Sequence, residues 1–319
     1  MDDIITVGKS ESAQEFRENL RKHFNITQGG ILHWYLGVAF CRQENGSITL
    51  DQTVYLKQKI QEFSQFIGNE KRSSPLPANY QKLLENAEKE EPSNTNFPYR
   101  QIVGSLMYAM LCTRPDLACG VSVVSQFLEK PKDTHIELVK HILKYVAGNL
   151  DKKLVYKSDG DILLKGYVDA SYANETGYKS RTGYGFLLGG SLISWNSQKQ
   201  SVVAQSAAES EYYAAVSAAN EGLWIKQLLM DLGIEQQSIT MYEDNQACIA
   251  LTKNPQDHKR TKHIQVKYHI IRQYVSDGLI KFVYCPTKDQ LADIFTKGVS
   301  GPLLSTCLSK LGLHRQGES

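Results

Sequence analysis

The sequence predicts an α/β protein whose second half forms a mixed five-stranded sheet with flanking helices. The first observation is a run of three strand-like stretches at 162–169, 182–189 and 191–196, which is typical of an antiparallel meander. The second is the alternation that follows, in which helices precede strands at 238–244 and 279–284. Such alternation favours a mixed sheet with helices on its faces.

The helices of this half have recognisable ends. A long helix at 207–231 is followed by Gly233, and a helix at 263–276 is followed by Gly278. Glycine commonly ends helices because it adopts the left-handed conformation without steric cost. Two shorter helices are predicted at 245–253 and 288–297.

The first half of the sequence predicts shorter helices and strands. In order, these are an amphipathic helix at 12–24, strands at 31–40 and 46–56, and a helix at 53–66. The stretch 85–96 is polar and charged with no apolar face, so we expect an exposed loop or linker. Three apolar helical patterns then connect the two halves, at 99–113, 116–130 and 134–148.

Length and composition limit the class of protein. The chain of 319 residues is long enough for two domains of roughly 150 residues each. Its net charge of +2 is nearly balanced, so any nucleic-acid interface must come from local clustering. The six cysteines form no C-x-x-C pair, which indicates reduced thiols in an intracellular protein. No apolar run approaches the ~18 residues of a membrane span, and we expect no membrane partner.

Four acids fall on separate elements in the order Asp, Glu, Asp, Asp. Asp169 lies in the strand-like "YVDASYA", Glu211 near the start of the long helix, Asp244 at a strand end and Asp293 in the last helix. One such acid is most simply a turn or strand-end residue, because an unpaired buried carboxylate is costly. Four together suit Mg²⁺ or Mn²⁺, since carboxylate oxygens are hard ligands. Two such ions about 4 Å apart can hold a phosphodiester and activate water.

The same segments resemble a known family. "YVDASYA", "AESEYYAAVSAANEGLW", "YEDNQACIALTKNP", "RTKHIQVKYHIIR" and "YCPTKDQLADIFTK" are similar, in order, to the ribonuclease H domain of copia-type retrotransposon Pol polyproteins. Upstream, "YRQIVGSLMYAMLCTRPDLACGVSVVSQF" resembles the connection before that domain, and "WYLGVAF" and "SSPLP" resemble the end of the reverse transcriptase. The resemblance implies a C-terminal part of such a polyprotein with a ribonuclease H-like sheet.

The resemblance also implies a domain organisation. The expected units are a partial reverse transcriptase (palm end and thumb) at 1–80, a linker and helical connection at 81–153, the ribonuclease H domain at 154–300 and a C-terminal tail at 301–319.

Carried over residue by residue, the family's catalytic and metal-binding acids are Asp169, Glu211, Asp244 and Asp293, holding two Mg²⁺ or Mn²⁺. Glu209 competes with Glu211, but only Glu211 is followed by two bulky residues and an alanine, as in the family. Neighbouring Glu243 should face the other side of its strand and is expected at the surface.

Nucleic-acid contacts are expected at two places. The stretch 252–272 is the most basic of the chain, and Arg260, Lys262 and His263 lie in the family motif within it. A solvated helix face remains the alternative to backbone contact. The resemblance further implies that three polar residues beside the acids read the RNA 2′-hydroxyl, with helix capping by the second of them as the alternative. They are Ser171, Asn245 and Gln246.

Two features depart from related enzymes. The loop before Asp293 lacks the histidine that other ribonucleases H carry, which leaves proton relay to water, the metals or a residue such as His263. At the front, Asp2 and Asp3 resemble the pair that ends the polymerase Y-x-D-D turn. The other polymerase acids would lie upstream, so we expect no reverse transcriptase activity.

The expected function is metal-dependent cleavage of the RNA strand of RNA·DNA hybrids. The expected partners are the hybrid and the rest of the polyprotein, and the expected location is intracellular, in a cytoplasmic retrotransposon particle or the nucleus. A catalytically silent nucleic-acid-binding or structural remnant is the alternative. A DDE-type integrase is disfavoured because its acids would occur in another order.

Overall fold

The computed structural model describes residues 3–27, 29–68, 70–160, 162–253, 262–315 and 317, and for 262–268 it describes the helix alone. Ten strands lie in these ranges, and they form two five-stranded sheets. In chain order they are β1 Trp34–Tyr35, β2 Val38–Arg42, β3 Ile48–Asp51, β4 Lys152–Tyr156, β5 Lys165–Glu175, β6 Lys179–Leu188, β7 Ser191–Lys199, β8 Ile239–Glu243, β9 Ile280–Tyr284 and β10 Leu313–Arg315.

Helices connect and cover the sheets within the same ranges. They are α1 Ser10–Arg21, α2 Thr53–Glu62, α3 Tyr80–Ala87, α4 Tyr99–Cys112, α5 Ala118–Val124, α6 Asp133–Ala147, α7 Ala207–Asp231, α8 Gln246–Lys253, α9 Lys262–Ser276, α10 Asp293–Thr296 and α11 Gly301–Lys310. None of the described helices has the length and apolar character that crossing a membrane requires.

The second sheet has the strand order β7-β6-β5-β8-β9. Strands β5, β6 and β7 form an antiparallel meander, whereas β8 pairs parallel to β5 and β9 parallel to β8. Gly189 and Gly190 form the two-residue turn between β6 and β7 at φ +63° and +78°, a geometry that glycine adopts without strain. The predicted ribonuclease H-like mixed sheet with flanking helices is confirmed.

Both faces of the second sheet are covered. On one face, α7 packs closely through small residues such as Ala215 and Ala219, and a Cβ at Gly222 would lie 2.9 Å from Phe186. On the other face, Phe295 of α10 and Leu192 of β7 join an apolar core that extends into α4, α5 and α6. A sheet covered on both faces explains the continuous burial of β6.

The first sheet joins distant parts of the chain, in the order β1-β2-β3-β4-β10. Strand β4 pairs with β3 and with β10, so residues expected in the C-terminal tail add a strand to this sheet and a helix, α11, beside it. The expected boundary at 154 falls within β4. The domain limits therefore stay predictions.

The expected loop at 85–96 is partly helical instead. Helix α3 runs from Tyr80 to Ala87 and buries Leu84. Two of its three buried residues, Tyr80 and Leu84, precede the charged stretch, so the composition of 85–96 alone did not reveal the helix. The helices predicted at 99–113 and 134–148 match α4 and α6 closely.

Candidate metal and active site

Three of the predicted acids meet at one edge of the second sheet. Strands β5 and β8 run parallel with Tyr167 opposite Tyr242, so Asp169 and Asp244 each lie two residues beyond that pair. Glu211 reaches the same edge from α7. Carboxylate oxygens of Asp169, Glu211 and Asp244 all lie within 4.8 Å of one another. The structure therefore brings together acids that are up to 75 positions apart in the sequence (244 − 169).

The N-terminus of α7 determines which glutamate enters this cluster. The Ser206 hydroxyl accepts a hydrogen bond from the Glu209 N–H at 3.2 Å, and the Glu209 carboxylate accepts one from the Gln205 N–H at 2.7 Å. These two hydrogen bonds engage Glu209 at the helix start. Glu211 lies two residues on, about 200° around the helix, where it turns to the sheet and is 6% exposed.

Asp293 joins the site from a separate element. It is the first residue of α10, is 7% exposed and raises the pKa of Asp169 through its charge, but it is not within the group of three acids. Buried Gln290 holds this segment on β5, because its side-chain amide donates to the Val168 carbonyl at 2.9 Å and accepts from the Ala292 N–H at 3.1 Å. The segment therefore places Asp293 beside Asp169.

Burial and mutual repulsion disfavour ionisation of these acids. Burial first, and the carboxyl of Asp293 second, raise the pKa of Asp169 to about 7. Burial, followed by the charges of Glu243 and Asp169, raises the pKa of Glu211 to about 11. Carboxylates that repel one another in this way gain most from a bound cation.

The donor set fits a divalent metal ion. Within the described part of the chain, Oε2 of Glu211 is buried and accepts no hydrogen bond. Buried polar atoms normally have partners, so an oxygen left without one beside two further carboxylates is a candidate ligand. Hard oxygen donors of this kind suit Mg²⁺ or Mn²⁺.

Glu243 corrects an expectation. We expected this residue at the surface, but it is fully buried at 0% exposure, and its Oε2 also accepts no hydrogen bond from described residues. Its Oε1 accepts the Asn245 N–H at 3.0 Å. Alternation does turn Glu243 away from the face of Asp244, but the face it enters, together with Met241, is covered by α7 and closed to solvent.

Lys297 and Thr296 were not singled out from the sequence. Lys297 follows the last residue of α10, and its ammonium group lies 2.7 Å from Oδ1 of Asp293, four residues earlier in the sequence. Thr296 donates a hydrogen bond to Oδ2 of Asp169. Burial lowers the pKa of Lys297, but attraction to Asp169 and Asp293 outweighs this and raises it above the ordinary value. The i,i+4 spacing of Asp293 and Lys297 was the available signal.

The polar residues beside the acids have local partners. The Ser171 hydroxyl accepts a hydrogen bond from Asn174, and Asn245 caps α8 by accepting from the Cys248 N–H at 3.0 Å. Gln246 is exposed at the start of α8. The capping alternative for Asn245 is thus observed, while contact of these residues with RNA stays a prediction.

The remaining predicted sites are only partly described. Arg260 and Asp2 lie outside the described residues, as do the side chains of Lys262 and His263 at the start of α9. Asp3 is exposed near the N-terminus. Their proposed roles stay predictions.

Comparisons with known proteins give long matches. The chain is 38% identical, over 98% of its length, to the retrovirus-related Pol polyprotein from transposon TNT 1-94 of Nicotiana tabacum. It is 33% identical, over 99% of its length, to the one from transposon RE1 of Arabidopsis thaliana. It spans 24% and 21% of these two polyproteins, about a quarter or less of each. No family model matches the chain.

Among solved structures, LC11-RNase H1, isolated from compost, aligns with 46% of this chain and 99% of its own. The identity is 14% and the TM-score 0.34. A TM-score of this size carries no argument, so the fold assignment rests on the strand order of the second sheet.

Proposed function

This chain belongs to the retrovirus-related Pol polyproteins of transposons, of the copia type, and we propose that it carries their ribonuclease H activity. The proposed reaction is hydrolysis of the RNA strand of an RNA·DNA hybrid. The proposed partners are the hybrid and the rest of the polyprotein, in a cytoplasmic particle or the nucleus. One observation carries the proposal: β5, β8 and α7 bring Asp169, Glu211 and Asp244 within 4.8 Å of one another.

Four acids would hold two Mg²⁺ or Mn²⁺, namely Asp169, Glu211, Asp244 and Asp293. When bound, the ions supply charge for the scissile phosphate and activation of a water molecule. The chain supplies the placement of these acids. Thr296 orients Asp169 by donating to its Oδ2, and Gln290 fixes the backbone before Asp293. Preorganised ligands of this kind avoid reorganisation during the reaction.

Two further groups tune the charge of the site. Lys297 offsets part of the negative charge from the side of Asp293. The charge of Glu243 raises the pKa of Glu211, and among the causes of this shift it is second to burial. Both residues act on the acids and are positioning residues in this proposal.

The test is cleavage of a hybrid with labelled RNA by the purified full chain in Mg²⁺. We expect RNA cleavage in the hybrid, but none in single-stranded RNA or in duplex DNA. Asp169→Asn and Asp244→Asn should each lower the rate at least ~10²-fold, because each removes a charge that holds the ions. Glu209→Gln is the matched control and should remain active, since Glu209 is engaged in the helix cap.

Thermal melting of each variant checks that it is folded. A folded wild-type chain without hybrid cleavage would favour the catalytically silent alternative. Normal cleavage by Asp169→Asn would refute the assignment of the acids. If Glu209→Gln were inactive and Glu211→Gln active, the helix acid would be Glu209.

A further inference from the structure

A cavity of about 620 Å³ lies away from the acids, between β4, β10, α11 and the segment around residue 72. Its lining includes four basic side chains, Lys71, Arg72, Lys152 and Arg315, together with His314. No aspartate or glutamate is among the described residues that line it. The cavity is thus surrounded by positive charge on several sides.

The floor of the cavity holds a buried cation that is poorly compensated. Lys152 is only 9% exposed, and its ammonium group donates to the Tyr145 hydroxyl at 2.9 Å. The carboxylate of Asp116 lies 3.9 Å from it. Burial, the largest influence, lowers the pKa of Lys152 overall, although attraction to Asp116 and, more weakly, to Asp151 raises it.

Asp116 is already engaged by another cation. The Arg114 guanidinium donates to both of its carboxylate oxygens, at 2.9 and 2.7 Å, and the Tyr145 hydroxyl donates to Oδ2 at 2.7 Å. Arg114 and Asp116 are both fully buried. One buried carboxylate therefore faces two buried cations, Arg114 and Lys152, which leaves positive charge at the floor of an open cavity.

The rim adds further cations. Lys71 and Arg72 are exposed, and Arg72 pairs at 2.7 Å with Glu70, which also contacts Lys144 at 3.2 Å. Arg315 donates to the side chain of Asn149 at 2.9 Å. Glu70 is shared between two cations, Arg72 and Lys144, so these three side chains carry a net positive charge.

We propose that this cavity binds a phosphate-bearing anion. A buried excess charge favours an anionic ligand, and several cations on different sides favour one with many acceptor oxygens. Arginine and lysine together suit phosphate, because the guanidinium binds it in a bidentate manner and the ammonium acts as a compact point charge. Either the backbone of a nucleic acid or a free polyphosphate supplies this chemistry. The site is independent of the acid cluster and of the proposed nuclease activity.

The experiment measures binding of sodium tripolyphosphate to the metal-free full chain by calorimetry and by thermal melting. We expect binding and a raised melting temperature in the wild type. The rim variant Lys71→Ala/Arg315→Ala should weaken binding roughly tenfold for each charged hydrogen bond lost. Lys152→Met should also weaken binding while the Arg114–Asp116 pair and the fold persist. The control Lys57→Ala/Lys82→Ala removes the same charge from exposed positions outside the cavity and should bind like the wild type.

The outcomes distinguish binding in the cavity from non-specific electrostatic attraction between the anion and the protein. No binding by the wild type, or equal losses in the rim variant and the control, would overturn the proposal. A second measurement distinguishes the two sources of phosphate: the salt dependence of metal-free binding to the hybrid. A shallower slope in the rim variant than in the control assigns the cavity to backbone phosphate. An unchanged slope with lost tripolyphosphate binding assigns it to a free polyphosphate.

Discussion

Replacing Asp169 by asparagine should stabilise the metal-free chain, and the gain should grow with pH. In the folded chain the pKa of Asp169 is raised from 3.8 to about 7, by burial and then by Asp293. Between these values the folded chain holds a proton that the unfolded chain has lost. Unfolding therefore releases a proton, and stability falls as the pH rises from about 4 to about 7. Asparagine does not titrate, so the variant does not lose this stability as the pH rises.

The size of the gain in stability follows from the shift in the pKa of Asp169. A rise of about 3 units corresponds to about 4 kcal/mol at 1.36 kcal/mol per unit, which is an upper limit for the gain above pH 7. Asparagine can still accept the hydrogen bond that Thr296 donates to Asp169. The substitution thus removes the charge and keeps the shape. Near pH 4 the two proteins should be equally stable.

Urea unfolding in EDTA, followed by tryptophan fluorescence from pH 4 to pH 8, measures the difference between the wild type and Asp169→Asn. The difference is the useful quantity because other groups titrate in the same range, such as His135, whose pKa burial lowers to about 4. Asp159→Asn, which changes an exposed acid, is the control and should show no such trend. A difference that does not change with pH, or a variant that is less stable throughout, would refute the reasoning.

Two further predictions concern charge around the site. Lys297→Met should lower the melting temperature of the metal-free chain and enlarge the rise caused by Mg²⁺, since Lys297 offsets charge on Asp293 and Asp169; equal Mg²⁺ shifts in both proteins would contradict this. Arg260→Ala/Lys262→Ala should weaken hybrid binding and shallow its salt dependence, by about 0.9 in slope per phosphate contact for B-form DNA. An unchanged slope would mean that the stretch is a solvated helix face.

The order of elements in the second sheet could be predicted because each element leaves a local pattern. Alternation marks the strands of the meander, and glycines mark the ends of α7 and α9, at Gly233 and Gly278. Asp169 and Asp244 could be assigned to two strands, but the parallel pairing that places both acids at one edge is seen only in the structure. The grouping of the four acids was expected from the chemistry of metal ligands and from the family resemblance, not from strand pairing.

The surroundings of the acids could not be predicted in the same way. Glu243 alternates with the apolar Ile239 and Met241, yet as an acid it was expected at the surface, and only the packing of α7 against β8 shows that it is a buried carboxyl. Likewise, a lysine four residues after an aspartate usually forms an exposed surface pair. Lys297 differs because α10 lies against β5, so that Asp169 is also within its reach. Both cases depend on contacts between elements far apart in the sequence.

The division into domains stays a prediction, for a related reason. A strand pattern such as that of β4 does not indicate its partners, and here the partners are β3 and β10, more than 100 and 150 positions away. Leu154 of β4, Leu313 of β10 and Phe295 beside the acids belong to one apolar core. The helix that carries Asp293 is therefore held in part by residues of the first half of the chain. Helix α10 and the first sheet share this core, so we treat the chain as one folding unit.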